Sequence, residues 1–150
     1  MKVARLRILF VSSEAHPLIK TGGLADVSGS LPAALRDQGE DVRLLIPGYP
    51  SVMKKLQDQA KVLELQDLPY VGRASLVLGK MPDTGVEVLA IDCPSLYQRA
   101  GNPYLDTTGR DWEDNPVRFG VLSMIAARLG CSDSSLQDWI PDIVQCNDWQ

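Results

Sequence analysis

Lys20-Thr21-Gly22-Gly23, within EAHPLIKTGGLADV, sets a cation, a hydroxyl and two positions without side chains directly ahead of a helical pattern. The amino end of a helix offers unpaired N–H groups and a partial positive charge, which suit a phosphate. Lys20 adds a mobile full charge and Thr21 a hydroxyl. Gly22 and Gly23 permit positive φ and let a ligand approach the backbone closely. The plainer reading of the same residues is a turn with a surface lysine. The stretch has neither the G-K-[ST] of a nucleotide-triphosphate loop nor G-x-G-x-x-G, so ATPase and dinucleotide readings lose support.

The elements that must hold this turn can be read from periodicity. RLRILFVSS (5–13) is a short apolar run ending in small polar residues, the pattern of a strand buried on both faces. Leu24, Val27, Leu31, Ala34 and Leu35 then recur at helical spacing, and Gly39 stops the helix. Pro32 predicts a kink, or a short first helix followed by a second one capped by Ser30. DVRLLIPGYP is a second buried strand, and SVMKKLQDQ (51–59) a short helix. KVLELQ, RASLVLGKM and VEVLAID have β-type content, with PDTG a strong turn signal between the last two. A small antiparallel element is therefore expected after the second strand, with one of its strands free to return to the main sheet.

SLYQRAGNPYLDTTGRDWEDN (95–115) is a long polar segment, expected to be functional or mobile. NPVRFGVLSMIAARLG is the clearest helix. Asp114 or Asn115 can cap it, Pro116 sits in its first turn, and Val117, Val121, Met124, Ile125 and Leu129 form its buried stripe. Ile143–Cys146 is a last short strand. The order predicts an α/β fold: a Rossmann-like, open, mainly parallel sheet with helices on both faces. Ligands of such sheets bind beyond the carboxyl ends of the strands. Three polar clusters fall there: Ser12 to Gly23, the loop after Asp92, and Asn147-Asp148-Trp149. A sheet of this kind would next add a helix after Trp149, so the chain is expected to be the front part of a longer protein.

Bulk properties narrow the classes. The chain has 150 residues, a net charge of −4 and a pI near 4.9, about one domain's length and not the basic balance of a nucleic-acid binder. Cys93, Cys131 and Cys146 form no C-x-x-C pair and read as reduced thiols, mostly small core hydrophobes. His16 is the only histidine, so any metal site would need carboxylates, and none is assigned. The apolar start, Ile8 to Val11, is shorter than the ~7–15 residues of a secretory h-region, and no stretch approaches the ~20 residues of a membrane span. A soluble, cytoplasmic protein is expected.

KTGGLADV, preceded by SSEAHPLI and following an amino-terminal strand, resembles bacterial glycogen synthases and plant starch synthases. LPAAL, RLLIPGYP, IDCPSLYQRAGNPYLDTTGRDWEDNPVRF and PDIVQCNDWQ fit the same family in order, so the resemblance spans nearly the whole chain. It implies the first Rossmann-like domain of a two-domain, retaining GT-B glucosyltransferase. Such enzymes move glucose from ADP-glucose to the non-reducing end of an α-1,4-glucan, without a cofactor.

The resemblance carries over to particular residues. Lys20 would meet the donor phosphates, with the Gly22 and Gly23 backbone alongside. Asp26 belongs to the same motif, although a carboxylate in a first helical turn also simply favours the helix dipole. Glu14 would hydrogen-bond sugar or acceptor hydroxyls, or else be a solvated loop acid. Tyr104 fits a position near donor or acceptor, or else is a packing anchor. Asp148 and Trp149 match an H-D-W-H segment that here reads NDWQ. Asn147 and Gln150 keep hydrogen bonding there but cannot carry protons near neutrality.

The family's catalytic-site histidine lies beyond residue 150, as does the nucleotide-binding domain that would be this chain's partner. No catalytic residue is therefore assigned, and the chain alone is expected to be inactive. His16, before Pro17, is expected to face solvent or cap locally. A non-catalytic glucan- or sugar-nucleotide-binding module is the second reading. An unrelated flavodoxin-like domain explains the fold but not the ordered motifs.

Overall fold

Strand β1 (Arg7–Val11) opens the sheet, and Leu9 and Phe10 on it have no exposed surface. The structure, a computed structural model, describes residues 5–131, 136 and 138–150. Helix α1 (Gly23–Asp37), β2 (Asp41–Pro47), α2 (Pro50–Lys55), β3 (Gln57–Leu68), β4 (Gly72–Lys80), β5 (Glu87–Asp92), α3 (Pro94–Tyr97), α4 (Asn115–Gly130) and β6 (Ile143–Cys146) follow.

The sheet has six strands in the order β3-β4-β5-β2-β1-β6. β1, β2, β5 and β6 are parallel, with Ile8 opposite both Val42 and Ile143. These strands are continuous apolar runs because neighbours cover both faces. β4 is antiparallel to both β3 and β5, so β5 is the strand that returns to the main sheet. The chain steps from β1 to β2 in one direction and from β5 past two strands to β6 in the other. Right-handed crossovers then set α1 and α4 on opposite faces. The direction reverses at β1, so the crevice beyond the carboxyl ends of β1 and β6 is the switch point where α/β sheets bind ligands.

Helix α1 departs from its expected form in two respects. It is one continuous helix through Pro32, not two. Ser30 does not cap a second helix; its hydroxyl donates back to the Asp26 carbonyl at 2.7 Å. Of the expected apolar stripe, Leu35 packs partly buried against the core, but the fully buried face is made of other residues. Ala25, Ser28, Gly29 and Pro32 are buried, while Val27 and Leu31 are exposed. The cause is a close approach: a Cβ on Gly29 would lie 2.3 Å from the His16 carbonyl oxygen. Only small side chains fit that contact, and burial of the Pro32 ring on the same face offsets its missing hydrogen bond.

Helix α2 stops at Lys55, short of the expected Gln59, because Leu56 is already extended and Gln57 begins β3. β3 is correspondingly longer than KVLELQ. It is an edge strand with three register shifts, and its exposed surface is largely polar, as befits an unpaired edge. In α4, Val121, Ile125 and Leu129 are buried as expected; Val117 and Met124 pack partly buried against the core. Cys93 is a core residue, but Cys131 and Cys146 are exposed, because they sit at the end of α4 and on edge strand β6.

Candidate functional site

The chain leaves β1 through Ser12, Ser13 and Glu14, all buried. The Ser12 amide still bonds the sheet, donating to the Leu45 carbonyl at 3.1 Å. The Ser12 hydroxyl donates to the Glu14 carbonyl at 2.8 Å, and the Ser28 hydroxyl of α1 donates to Ser12 Oγ at 2.7 Å. The loop then folds on itself. Ile19 N–H donates to the Ala15 carbonyl and His16 N–H to the Ala25 carbonyl, each at 2.9 Å. The His16 side chain is exposed.

Glu14 is not a solvated acid. It is 2% exposed. Its Oε2 accepts the Thr21 N–H at 2.5 Å and the Thr21 hydroxyl at 2.8 Å. Such burial of a carboxylate is tolerable only with satisfied hydrogen bonds. The Tyr104 hydroxyl lies 3.4 Å from Glu14 Oε1 and 2.9 Å from Ser13 Oγ. Burial raises the Tyr104 pKa above its ordinary value, with the Ser13 bond opposing, so the phenol stays protonated near neutrality and can donate.

Past Thr21, Gly22 is extended (φ −150°), and neither Gly22 nor Gly23 has positive φ, so the glycines do not serve the backbone freedom expected of them. They leave space instead. No side chain caps the amino end of α1, and a Cβ on Gly23 would meet nothing within 4 Å. Lys20 Nζ stands beside this open end, bonded to both Asp26 oxygens at 2.6 and 2.7 Å. The two side chains are 46% and 57% exposed. Asp26 thus faces the Lys20 ammonium as well as the first turn of α1.

The other polar clusters reach the same edge. The Tyr104 ring packs against Phe119 (centroids 5.8 Å apart) and Trp149 (6.5 Å), and Phe119 meets Trp149 edge-on at 5.4 Å. Asn147 extends the pairing of β6 with β1, its N–H and its side-chain amide both donating to the Val11 carbonyl, at 3.2 and 2.8 Å. Asp148 is exposed, with φ 63°, and its carboxylate accepts the Trp149 N–H at 2.9 Å. The structure therefore joins Glu14, Thr21, Ser13 and Tyr104 in one network and Lys20 with Asp26 in another. Asp148 bonds within its own turn.

The segment from Ser95 to Asp114 is not a featureless rim. Asn102 Oδ1 accepts the amides of Tyr104 and Leu105, each at 2.8 Å, and Asp106 Oδ1 accepts those of Thr108 and Arg110, at 2.7 and 3.1 Å. Arg99 grips Asp114 through two nitrogens at 2.9 and 2.6 Å. That bond holds the Asp114 carboxyl below the usual carboxylate range. Beneath the segment lies Arg118, 1% exposed. Sequence reasoning held Ser13 only within the Ser12 to Gly23 cluster and passed over Arg118, whose one available signal was a charge inside the apolar pattern VRFGVL.

Among the described residues no group of His, Cys, Asp or Glu could hold a metal ion, and no helix is long and apolar enough to cross a membrane.

The starch synthase catalytic domain family matches residues 7–150. A glycogen synthase of Paramagnetospirillum magneticum is 53% identical over 97% of this chain, and one of Dechloromonas aromatica 52% identical over 99%. The chain spans about 30% of the length of these relatives. The catalytic domain of starch synthase IV from Arabidopsis thaliana, bound to ADP and acarbose, is 25% identical, with a TM-score of 0.73 over 97% of this chain and 28% of that one. A match covering almost every residue, together with the mostly parallel sheet and its glycine-bearing turn, shows that the chain belongs to the starch synthase catalytic domain family.

Proposed function

We propose that this chain forms one wall of a retaining glucosyltransferase that moves glucose from ADP-glucose to the non-reducing end of an α-1,4-glucan. The observation that carries the reading is the uncapped amino end of α1, with Lys20 held beside it at the switch point of the sheet. In this reading the donor's diphosphate lies along Gly22 and Gly23 and meets the Lys20 ammonium, which Asp26 holds beside the helix end. As the glucosyl bond breaks, negative charge grows on the leaving phosphate oxygen. Lys20 and the α1 amides are fixed where they stabilise that charge, and such stabilisation is strongest in a site closed to water.

Glu14 acts by holding Thr21, and thereby the turn, in place. Tyr104 presents its hydroxyl, anchored by Ser13, toward donor or acceptor. Asp148 contributes to the sugar side of the cleft. The remaining length of the relatives supplies the second wall, the nucleotide-binding domain, so the 150-residue chain alone incorporates no glucose. The reaction belongs to the cytoplasm, where Cys93, Cys131 and Cys146 stay reduced.

The test is Lys20→Ala in the full-length protein. A charge-assisted phosphate bond is worth roughly 1.5–3 kcal/mol. The KM for ADP-glucose should therefore rise about ten- to hundredfold. Unchanged donor kinetics would refute the assignment.

A further inference from the structure

Arg118 is a buried cation without a carboxylate of its own. Its Nε donates to the Leu96 carbonyl at 2.9 Å, and its Nη1 donates to the Pro103 carbonyl at 2.8 Å and to Asn115 Oδ1 at 2.7 Å. All three acceptors are neutral. The carboxylate whose charge reaches it, Asp114, is already bonded twice by Arg99. A buried charge is retained at low cost only when a counter-charge and hydrogen bonds satisfy it. Here the hydrogen bonds are present and the counter-charge is shared between two guanidinium groups.

Arg118 and Arg99 both line one cavity of about 220 Å³, together with Tyr49, Ser51, Asn102 and Trp112. The Tyr49 and Ser51 hydroxyls are shut off from solvent and have no hydrogen-bond partner. Buried polar groups are rarely left in that state. The lining contains no carboxylate, while guanidinium, hydroxyl and amide donors abound. These donors come from three parts of the chain: Tyr49 and Ser51 at the start of α2, the segment after α3, and α4. They are therefore not confined to one plane, which suits an anion whose oxygens radiate in several directions.

The cavity walls are also braced. Tyr97 meets Tyr49 edge-on at 5.8 Å, and its hydroxyl donates to the Arg118 carbonyl at 2.6 Å. The volume exceeds the ~30 Å³ share of a single water. Burial lowers the Arg118 pKa from its ordinary value, with the Asp114 charge opposing.

We propose that this cavity is a phosphate-type oxyanion site, in which Arg118 supplies the charge and the unpartnered Tyr49 and Ser51 hydroxyls further donors, while Arg99 stays bonded to Asp114 and the Ser95 carbonyl. It is separate from the turn that holds Lys20, but Ile19 lines the cavity and is the neighbour of Lys20. An occupant thus braces the turn from behind.

The experiment is a thermal melt of the full-length protein titrated with inorganic phosphate, against sodium chloride at matched ionic strength. Phosphate should raise Tm saturably where chloride does not. Lys20→Ala should retain that response. Tyr49→Phe with Ser51→Ala should melt normally without phosphate, because it removes hydroxyls that bond nothing, yet bind phosphate at least tenfold more weakly. Arg118→Met should abolish the response if it folds. Acetate in place of phosphate should give a much smaller shift. The proposal is overturned if phosphate acts no differently from chloride, or if the Tyr49/Ser51 variant binds phosphate as the parent does. Loss of the response in Lys20→Ala would likewise overturn it, by assigning the anion to the donor turn.

Discussion

One oxygen of the Glu14 carboxylate accepts both hydrogen-bond donors of Thr21, the amide at 2.5 Å and the hydroxyl at 2.8 Å. This doubled bond closes the loop between β1 and α1 and fixes the residue next to Lys20. Glu14→Ala leaves the Thr21 donors without their buried acceptor, which costs about 1–3 kcal/mol. For a domain of this size that is a fall in Tm of roughly 2–10 °C. Glu14→Gln keeps one acceptor oxygen and should fall between the two. Calorimetry checks both, and an unchanged Tm in the alanine variant would contradict the bracing role.

Asp26 should matter more for donor use than for stability. Its ion pair with Lys20 is exposed on both sides, and such pairs contribute about 0–1 kcal/mol. Asp26→Asn should therefore leave the melting temperature nearly unchanged. It should still raise the KM for ADP-glucose severalfold, less than Lys20→Ala does, because the ammonium loses its holder beside α1. A fall in kcat at constant KM would place Asp26 in a different role.

Two glycines near the turn should respond oppositely to a methyl group. Gly29→Ala sets a Cβ 2.3 Å from the His16 carbonyl oxygen, so helix or loop must move. Overpacking of this kind costs about 1–3 kcal/mol. Gly23→Ala meets nothing within 4 Å and needs no unusual φ. Denaturant melts of the two variants should separate clearly, with Gly23→Ala at or above the parent.

Acid should weaken the Ser95–Asp114 segment through Asp114, whose carboxyl is held low chiefly by its hydrogen bond to Arg99. A depressed carboxyl stabilises the fold above its unfolded pKa, about 3.9, and loses that contribution as pH falls through the folded value. The Tm difference between the parent and Asp114→Asn should be largest above pH ~4 and shrink toward pH ~2. A difference constant across that range would show that the carboxylate's charge contributes nothing.

Amide exchange tests the same segment. Its sequence reads as a mobile rim, but the N–H groups of Asn102, Tyr104, Leu105, Asp106 and Trp112 are all hydrogen-bonded. Exchange at these positions should be slowed relative to the unbonded amides around them. Uniformly fast exchange would restore the expectation of mobility.

The legible parts of the fold were those in which burial is written as hydrophobicity. β1, β2, β5 and most of α4 carry continuous or periodic apolar residues. Helix α1 was read in place but its buried face was not, because that face is built of Ala25, Ser28, Gly29 and Pro32, and small side chains leave no hydrophobic signal. The α2–β3 boundary was misplaced because KKLQDQ is polar and carries no stop signal. At the candidate site, residue types suggested the Lys20 turn. The burial of Glu14 depends on partners 7 and 90 positions away, which local pattern cannot reveal. The charge of Arg118 was hidden for the same reason, since its acceptors are backbone carbonyls of Leu96 and Pro103.

The place of β1 in the sheet also sets a clock for synthesis. One neighbour, β2, leaves the ribosome soon after it, but β6 comes much later; the Arg7 amide bonds to Asp142 across 135 positions. At roughly 5–20 residues per second, β1 waits on the order of 7–27 s with one flank unpaired. During that interval Ile8-Leu9-Phe10-Val11 is an apolar strand with a free edge, the kind of surface that recruits a second nascent chain. This strand is thus the first to be made and among the last to be enclosed, and crowding of nascent chains threatens it before any other part of the sheet.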